Sequence, residues 1–416
     1  MKKIKIGIFG AGIRGLDLVK NFLMLDCEIV AICEFRTERH SAAKEMLGKD
    51  IAIYDNFDDF LNHKMDAVIL ANFFHEHAPY AIKCFEKGLH VYSECMSNGT
   101  MAEGVELIRA WEKSNSVYML AENYPQMIFN REIKRICDGK TLGKILYAEG
   151  EYNHTGDPTN VQSKKDYSYY PEHWRHYLPR TYYCTHSLGP IMYATGATPK
   201  MVASYAIYAP TEVDAPIASQ VGDRASIIIT QNDDGSVFRF VGNSGFGSSH
   251  NSYRVCGTKG QIENLRGMDN KIMLRYDSWQ VPEGAQKTEL YEPTWNDKDE
   301  ELIIKSGHGG SDYLTARIFV NCIKEGKQPE HPYNIHAAVT MASVAILAHR
   351  SMLNGGTPIS IPDFHLEECR KQYENDRLSP FFGTDGTAPS IPCCSHTDHK
   401  PTEEQMKMYE KLVLNK

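Results

Sequence analysis

The 416-residue chain has no apolar run approaching the roughly 18–20 residues that a membrane span requires. It lacks a long basic run as well, and its formal charge is −8. Nothing in it therefore forms an electrostatic footprint for nucleic acid or an anionic membrane surface, and neither is expected as a partner. No internal repeat and no low-complexity stretch is present. The eleven cysteines lack the spacing of a disulfide framework. Cys27, Cys33, Cys84 and Cys322 fall in apolar periodic segments instead, which suits reduced core thiols in a cytoplasmic protein. The opening MKKIKIGIFG has the early lysines of a signal peptide, but its apolar run breaks at Gly10–Gly12 and leads straight into a folded motif. No cleaved leader is expected.

What is there is globular: 42% hydrophobic and 24% charged residues, in a chain too long for one core of ordinary size. Two domains are expected, 1–123 and 124–416. Over the first, short apolar runs alternate with segments of helical spacing. IKIGIFG, CEIVAICE, a weaker run near 51–54, DAVILAN, HVYSE and VYMLAEN read as strands. Helices are predicted over 13–25, 37–47, 77–87 and 101–113. Near-continuous apolar strands separated by helices of about three turns indicate a doubly wound parallel (Rossmann) sheet of α/β class. Right-handed crossovers then bring every strand's carboxyl end to one edge.

After Asn123 a helix over 126–138 is followed by longer β-rich segments: KILYAEGEYNH, MVASYAIYAP, ASIIITQND, SVFRFVGN, YRVCGTKGQIENL and KIMLRY. The dipeptide Asp234–Gly235 between two of them is a hairpin signal. Helices over 312–325 and 335–353 come last, before a turn-rich tail and a final short helix. The second domain is expected to be α+β, with a large, mostly antiparallel open sheet and helices to one side.

GAGIRG (10–15) follows the first strand and opens the first helix. Gly10 suits the tight turn, Gly12 the approach of a pyrophosphate, and Gly15 close helix–strand packing, with phosphate charge at the helix N-terminus. Glu34 ends the second strand, where a carboxylate would bond the adenosine ribose hydroxyls and repel a 2′-phosphate. NAD, tightly bound, is the expected cofactor, although Arg36 stands nearby. Ile13, Arg14, Asn72, His77 and Glu94 complete the candidate cofactor contacts. YYCTHSLGP (182–190) sets an imidazole among tyrosines at the entrance to an apolar helix, as a proton-transfer site or as a core histidine. EGEYNH (149–154) and WRHYLPR (174–180) have the aromatic and arginine content that sugar recognition uses. Cys393, Cys394, His396 and His399 make a poor metal site, because adjacent cysteines rarely share one tetrahedral ion; no metal is expected.

With GAGIRG, His77 before its helix and GLHVYSE (88–94), the chain resembles the glucose–fructose oxidoreductase/inositol dehydrogenase (Gfo/Idh/MocA) family over nearly its whole length. That family implies NAD(P)-dependent chemistry on carbohydrates or polyols. Most members follow this strand's glutamate with lysine and proline, the lysine helping to activate the hydroxyl being oxidised; here Cys95 and Met96 stand there. One branch similarly lacks the lysine: NAD-dependent glycoside hydrolases typified by bacterial α-N-acetylgalactosaminidases. LAENY places Glu122 at its active-site glutamate, AEGEYNH places Tyr152 at its tyrosine, and the Y-x-T-H-x-LGP pattern gives Tyr183 and His186. Trp174–Arg175 matches a W-R pair, GHGGSD (307–312) brings in His308, and Arg180 joins the candidate substrate contacts.

The resemblance implies hydride removal from C3 of the sugar, with His186 taking the O3 proton. Loss of the C2 hydrogen to Tyr152 or Tyr183, elimination at C1, water addition and return of the hydride would follow. An ordinary sugar or inositol dehydrogenase and a non-catalytic NAD(H)-sensing protein are the alternatives. The expected partners are a small sugar or glycoside and other copies of the chain, as a dimer or tetramer.

Overall fold

The computed structural model describes residues 3–416. Its first sheet has six strands: β1 (Lys5–Phe9), β2 (Glu28–Cys33), β3 (Ala52–Tyr54), β4 (Ala67–Leu70), β5 (His90–Ser93) and β6 (Tyr118–Leu120). The order is β3-β2-β1-β4-β5-β6 and every pairing is parallel. β4 shows why these residues form central strands: Ala67, Val68, Ile69 and Leu70 are all fully buried, with helices on both faces. The order reverses between β1 and β4, so a crevice opens at their carboxyl ends. Gly10, Glu34, Asn72, Glu94 and Glu122 each follow the end of one of these strands, along that edge.

The second sheet has nine strands in the order β14-β13-β12-β11-β7-β10-β9-β8-β15. They are β7 (Ile145–Asn153), β8 (Pro199–Tyr208), β9 (Asp223–Asn232), β10 (Val237–Ser244), β11 (His250–Gly257), β12 (Gly260–Leu265), β13 (Met268–Tyr276), β14 (Thr288–Tyr291) and β15 (Ile359–Ser360). Its pairings are antiparallel except that of β10 with β7. β9 and β10 form the expected hairpin, with Gly235 at φ 84° in its turn. The edge strands β14 and β15 escape the hydrophobic pattern because neither buries a residue.

The helices Thr185–Thr195 and Ile335–Leu353 cover one face of this sheet, while Tyr205, Ile229, Met268 and Leu290 stay exposed elsewhere on its strands. The two sheets are not independent bodies. One buried cluster runs from Val68 and Val91 of the first sheet to Phe238 and Ile262 of the second. The helix Ser311–Glu325, late in the chain, packs back on Ile13–Met24, where the rings of Phe22 and Phe319 meet edge to face at 6.2 Å. Among the described residues no helix is long and apolar enough to cross a membrane.

Candidate active site

The glycine turn has the geometry its sequence suggests. Gly10 sits at φ 96°, a Cβ on Gly15 would lie 1.9 Å from the Gly10 carbonyl oxygen, and nothing stands within 4 Å of a Cβ on Gly12. The helix Ile13–Met24 begins at Gly12 with no side chain capping its first turn. Its leading amides and the open side of Gly12 form the cradle a pyrophosphate requires. Asn72 reaches the same cleft with a buried Oδ1 that has no hydrogen-bond partner among the described residues. Glu34, nearly buried, accepts from the Ala11 amide at 2.9 Å and the Arg36 amide at 2.8 Å, tying the end of β2 to the glycine turn. The Arg36 guanidinium lies 3.6 Å over the Tyr169 ring and pairs with Glu38. These features fit NAD. His77, by contrast, is buried and bonded through Nδ1 to the Met96 carbonyl at 2.7 Å, beneath the cleft rather than lining it.

Beyond the glycine turn, the end of β6 delivers Glu122, whose side chain has no solvent exposure. His186, in the first turn of Thr185–Thr195, places Nδ1 2.8 Å and 3.0 Å from the two Glu122 carboxylate oxygens. Gly189, the glycine of THSLGP, makes this approach feasible, because a Cβ there would lie 2.8 Å from Glu122 Cγ. Burial works against a charge on Glu122, but His186, Thr185 and Cys95 outweigh it and hold the carboxyl below its ordinary pKa. A carboxylate on Nδ1 assigns that nitrogen the proton and leaves Nε2 the basic lone pair. Nε2 has no partner among the described residues. Aromatic rings fix the imidazole from three sides: Tyr124 stacks on it at 4.2 Å, and Tyr152 and Tyr183 meet it edge-on at 4.9 and 5.2 Å.

Cys95 occupies the other side of Glu122. Its thiol donates to a carboxylate oxygen at 3.2 Å. Burial, then the charges of Glu122 and Glu94, push its pKa well up, so the sulfur stays protonated and is not a nucleophile. Burial likewise raises the pKa of Tyr152 and Tyr183, which makes both phenols hydrogen-bond donors in the resting site.

A second network closes the site between the two sheets. Arg14 donates to Glu94 at 2.6 Å and, through both terminal nitrogens, to Asp312 at 2.9 and 3.1 Å. Asp312 also accepts from Asn123 at 2.8 Å and faces His308 Nδ1 at 2.8 Å. His308 lies 6.2 Å from the Tyr124 ring, so the GHGG segment and the THSLGP segment do converge.

Of the candidate substrate residues, Trp174 and Arg175 line the cleft shared with Gly10 and Gly12. The Arg175 guanidinium lies 4.4 Å over the Trp174 ring. Trp174 stacks on Phe74, which stacks on Tyr183, giving a continuous aromatic wall. The structure does not bring Arg180 to this wall; its Nε bonds the Asp223 carbonyl at 2.7 Å and it lines a separate cavity. Sequence reasoning passed over Tyr124, Asp312 and Asn123, although each belongs to a segment already quoted (LAENY, GHGGSD). Neither a phenol beside a glutamate nor an acid on a helix shows from spacing what it will touch. The four tail residues Cys393, Cys394, His396 and His399 do not form a metal site: His396 stacks on Tyr208 and His399 bonds its hydroxyl. No group of three or more potential metal ligands occurs among the described residues.

Residues 4–122 match the family model of an oxidoreductase family with an NAD-binding Rossmann fold (Gfo/Idh/MocA), and residues 195–371 match the C-terminal domain of glycosyl hydrolase 109. The chain is 25% identical to glycosyl hydrolase family 109 protein 1 of Bacteroides fragilis, over 87% of this chain and 85% of that one. It is 23% identical to the family 109 protein of Stenotrophomonas maltophilia, over 92% and 93%. Among solved structures, levoglucosan dehydrogenase in complex with NADH and levoglucosan superimposes with a TM-score of 0.71 at 17% identity, covering 87% of this chain and all (100%) of that one. Myo-inositol 2-dehydrogenase from Lactobacillus plantarum gives 0.64 at 17%, covering 86% and 100%. Those two likenesses bear on the fold alone. The chain thus joins an NAD-binding Rossmann domain of the Gfo/Idh/MocA oxidoreductase type, over residues 4–122, to a glycosyl hydrolase 109 C-terminal domain over residues 195–371.

Proposed function

We propose that the protein is a glycoside hydrolase that oxidises its sugar only transiently, with Glu122 and His186 as its proton-transfer pair. The observation that carries this reading is the buried carboxylate on His186 Nδ1, which leaves Nε2 basic in a site where the Cys95 thiol is only a neutral donor to Glu122. Bound NAD would supply a hydride acceptor, and afterwards a donor, for the sugar C3 carbon. Gly10, Gly12, Glu34 and Asn72 would hold it, with Arg175 on the facing wall. His186 Nε2 accepts the O3 proton as C3 becomes a carbonyl, and Glu122 stabilises the imidazolium that results. A carbonyl at C3 acidifies the C2 hydrogen. Tyr152 or Tyr183, beside His186, takes that proton while giving its own to the C1 oxygen as the glycosidic C1–O bond breaks. Because burial disfavours the tyrosinate, the relay is concerted rather than stepwise. Water then adds back with OH at C1 and H at C2, before C3 is reduced and His186 returns the O3 proton. The aromatic wall of Trp174, Phe74 and Tyr183 covers apolar ring faces of the sugar, and His308 bonds its hydroxyls.

Purified protein is expected to cleave p-nitrophenyl glycosides without added NAD+ and, in deuterium oxide, to yield sugar carrying deuterium at C2 by mass spectrometry. Turnover accompanied by one NADH per sugar would establish an ordinary dehydrogenase instead. Binding of sugar-shaped inhibitors with neither outcome would point to an NAD(H) sensor.

The exposed apolar side chains on the second sheet, Tyr205, Ile229, Met268 and Leu290, support a homo-oligomer associated through that surface. Sedimentation velocity is expected to give the mass of a dimer or tetramer. A single species at 47.1 kDa across micromolar concentrations would overturn that inference.

A further inference from the structure

Behind the wall of the dinucleotide cleft lies a separate cavity of about 230 Å³. Three stretches far apart in sequence enclose it: residues 158–180, the loop 211–221 and the tail 399–405. Gln405 of the tail helix Glu403–Leu412 locks the roof by donating to the Thr211 carbonyl at 3.0 Å. The wall is thin. Lys164 and His176 face this cavity, while Asp166, Tyr167, His173, Trp174 and Arg175, on the same two short helical segments, face the dinucleotide cleft.

No carboxylate lines the cavity, yet two cations do. Arg180 spends only its Nε, on the Asp223 carbonyl, and its terminal nitrogens have no partner among the described residues. Lys164 Nζ donates to the Pro158 carbonyl at 2.7 Å, which leaves two of its three donors unused. The nearest acids are engaged elsewhere: Asp223 accepts from the amide and hydroxyl of Ser395, and Asp157 from the amide and hydroxyl of Thr159. Arg224, bonded to Thr211 on the rim, adds further positive charge. Burial disfavours the charged form of both Lys164 and Arg180, and the opposing charges of Asp157 and Asp223 offset that only in part. Such an arrangement costs stability unless something anionic completes it. The fork of Arg180 terminal nitrogens suits an oxyanion rather than a chloride. Of the other polar lining groups, the Ser219 hydroxyl is bonded to the Val221 carbonyl and His176 Nε2 to the Ser168 carbonyl, while His399, bonded to the Tyr208 hydroxyl through Nδ1, keeps Nε2 as a further donor.

We propose that this cavity is a binding site for a phosphate group, either free or as the ester of a small metabolite, held by Lys164 and Arg180 behind the dinucleotide cleft. Its volume exceeds what orthophosphate fills and falls below the roughly 300–1,000 Å³ of drug-sized ligand sites, so only a compact ester would be admitted.

The test is isothermal titration of orthophosphate, and separately of a hexose 6-phosphate, into protein saturated with NAD+, so that the glycine turn does not compete. Saturable binding is expected for the wild type, weakened by roughly ten- to a hundredfold in Lys164→Met. Arg180→Met should weaken it likewise, with unfolding curves confirming that each variant is folded. Tighter binding of the ester than of orthophosphate would identify a metabolite site, and the reverse a site for the free ion. Absence of saturable binding by either ligand, or binding unchanged in Lys164→Met, would overturn the proposal. So would a response to citrate with none to phosphate, because the site would then select carboxylates.

Discussion

Replacing His186 by alanine is expected to lower glycoside-cleaving turnover by roughly 10²–10⁴-fold while leaving the content of bound NAD unchanged. The reason lies in the position of the imidazole. Its Nδ1 is committed to Glu122, its faces and edges are held by Tyr124, Tyr152 and Tyr183, and only Nε2 remains for a substrate hydroxyl. Among the described residues no other basic nitrogen is hydrogen-bonded to that pair, and the far side of Glu122 is taken by the neutral Cys95 thiol. Glu122→Gln separates charge from shape. Glutamine retains a hydrogen bond to Nδ1 but removes the charge that stabilises the imidazolium, so turnover should again fall by roughly 10²–10⁴-fold. Steady-state kinetics on a p-nitrophenyl substrate, with NAD content read from the absorbance of denatured protein, checks both. Activity of His186→Ala within tenfold of wild type would sink the assignment.

The second large effect is on stability. Asp312→Ala should destabilise the protein by about 3–5 kcal/mol, the range for breaking a buried ion pair by removing one partner. Asp312 is 3% exposed and holds Arg14, His308 and Asn123 at once. Without it, the Arg14 guanidinium keeps only Glu94 at the junction between the two sheets. A pH dependence follows. Burial pushes the Asp312 pKa up, but the hydrogen bond to His308 and the charge of Arg14 prevail and hold it well below the ordinary carboxylate value. A carboxylate depressed in this way contributes its stability above its unfolded pKa, near 4, and loses that contribution as the pH falls toward its folded value. Urea midpoints measured at pH 7 and pH 3 should therefore converge between wild type and variant at the lower pH. Equal midpoints at pH 7 would show that the network carries no net stability.

The first sheet was legible from sequence because parallel strands buried on both faces leave near-continuous apolar runs, as in DAVIL and IKIGIF, with helices of regular spacing between them. The placement of His186 was legible for a different reason. THSLGP concentrates a histidine, a helix start and a glycine in six residues, and the structure supplies the physical need for that glycine, which lets the helix press against Glu122. Arg180 illustrates the limit. It sits six residues from Trp174 in the same aromatic-rich stretch, but a turn of helix at Trp174–His176 sends the two side chains to opposite sides of one wall.

For HVYSECMSNGT, the stretch holding Glu94 and Cys95, sequence alone established that the expected lysine is missing at the end of a parallel strand. It did not show what takes over. Local pattern records burial and turn chemistry, so it determined the strands, the glycine turn and the NAD-binding fold. Which side chains meet is settled by chain closure over long distances. Glu122 finds His186, 64 residues away, and Arg14 finds Asp312, 298 residues away. Those contacts exist only once the two sheets share a core, and only then does Cys95 become a neutral donor to Glu122 rather than a reactive thiol.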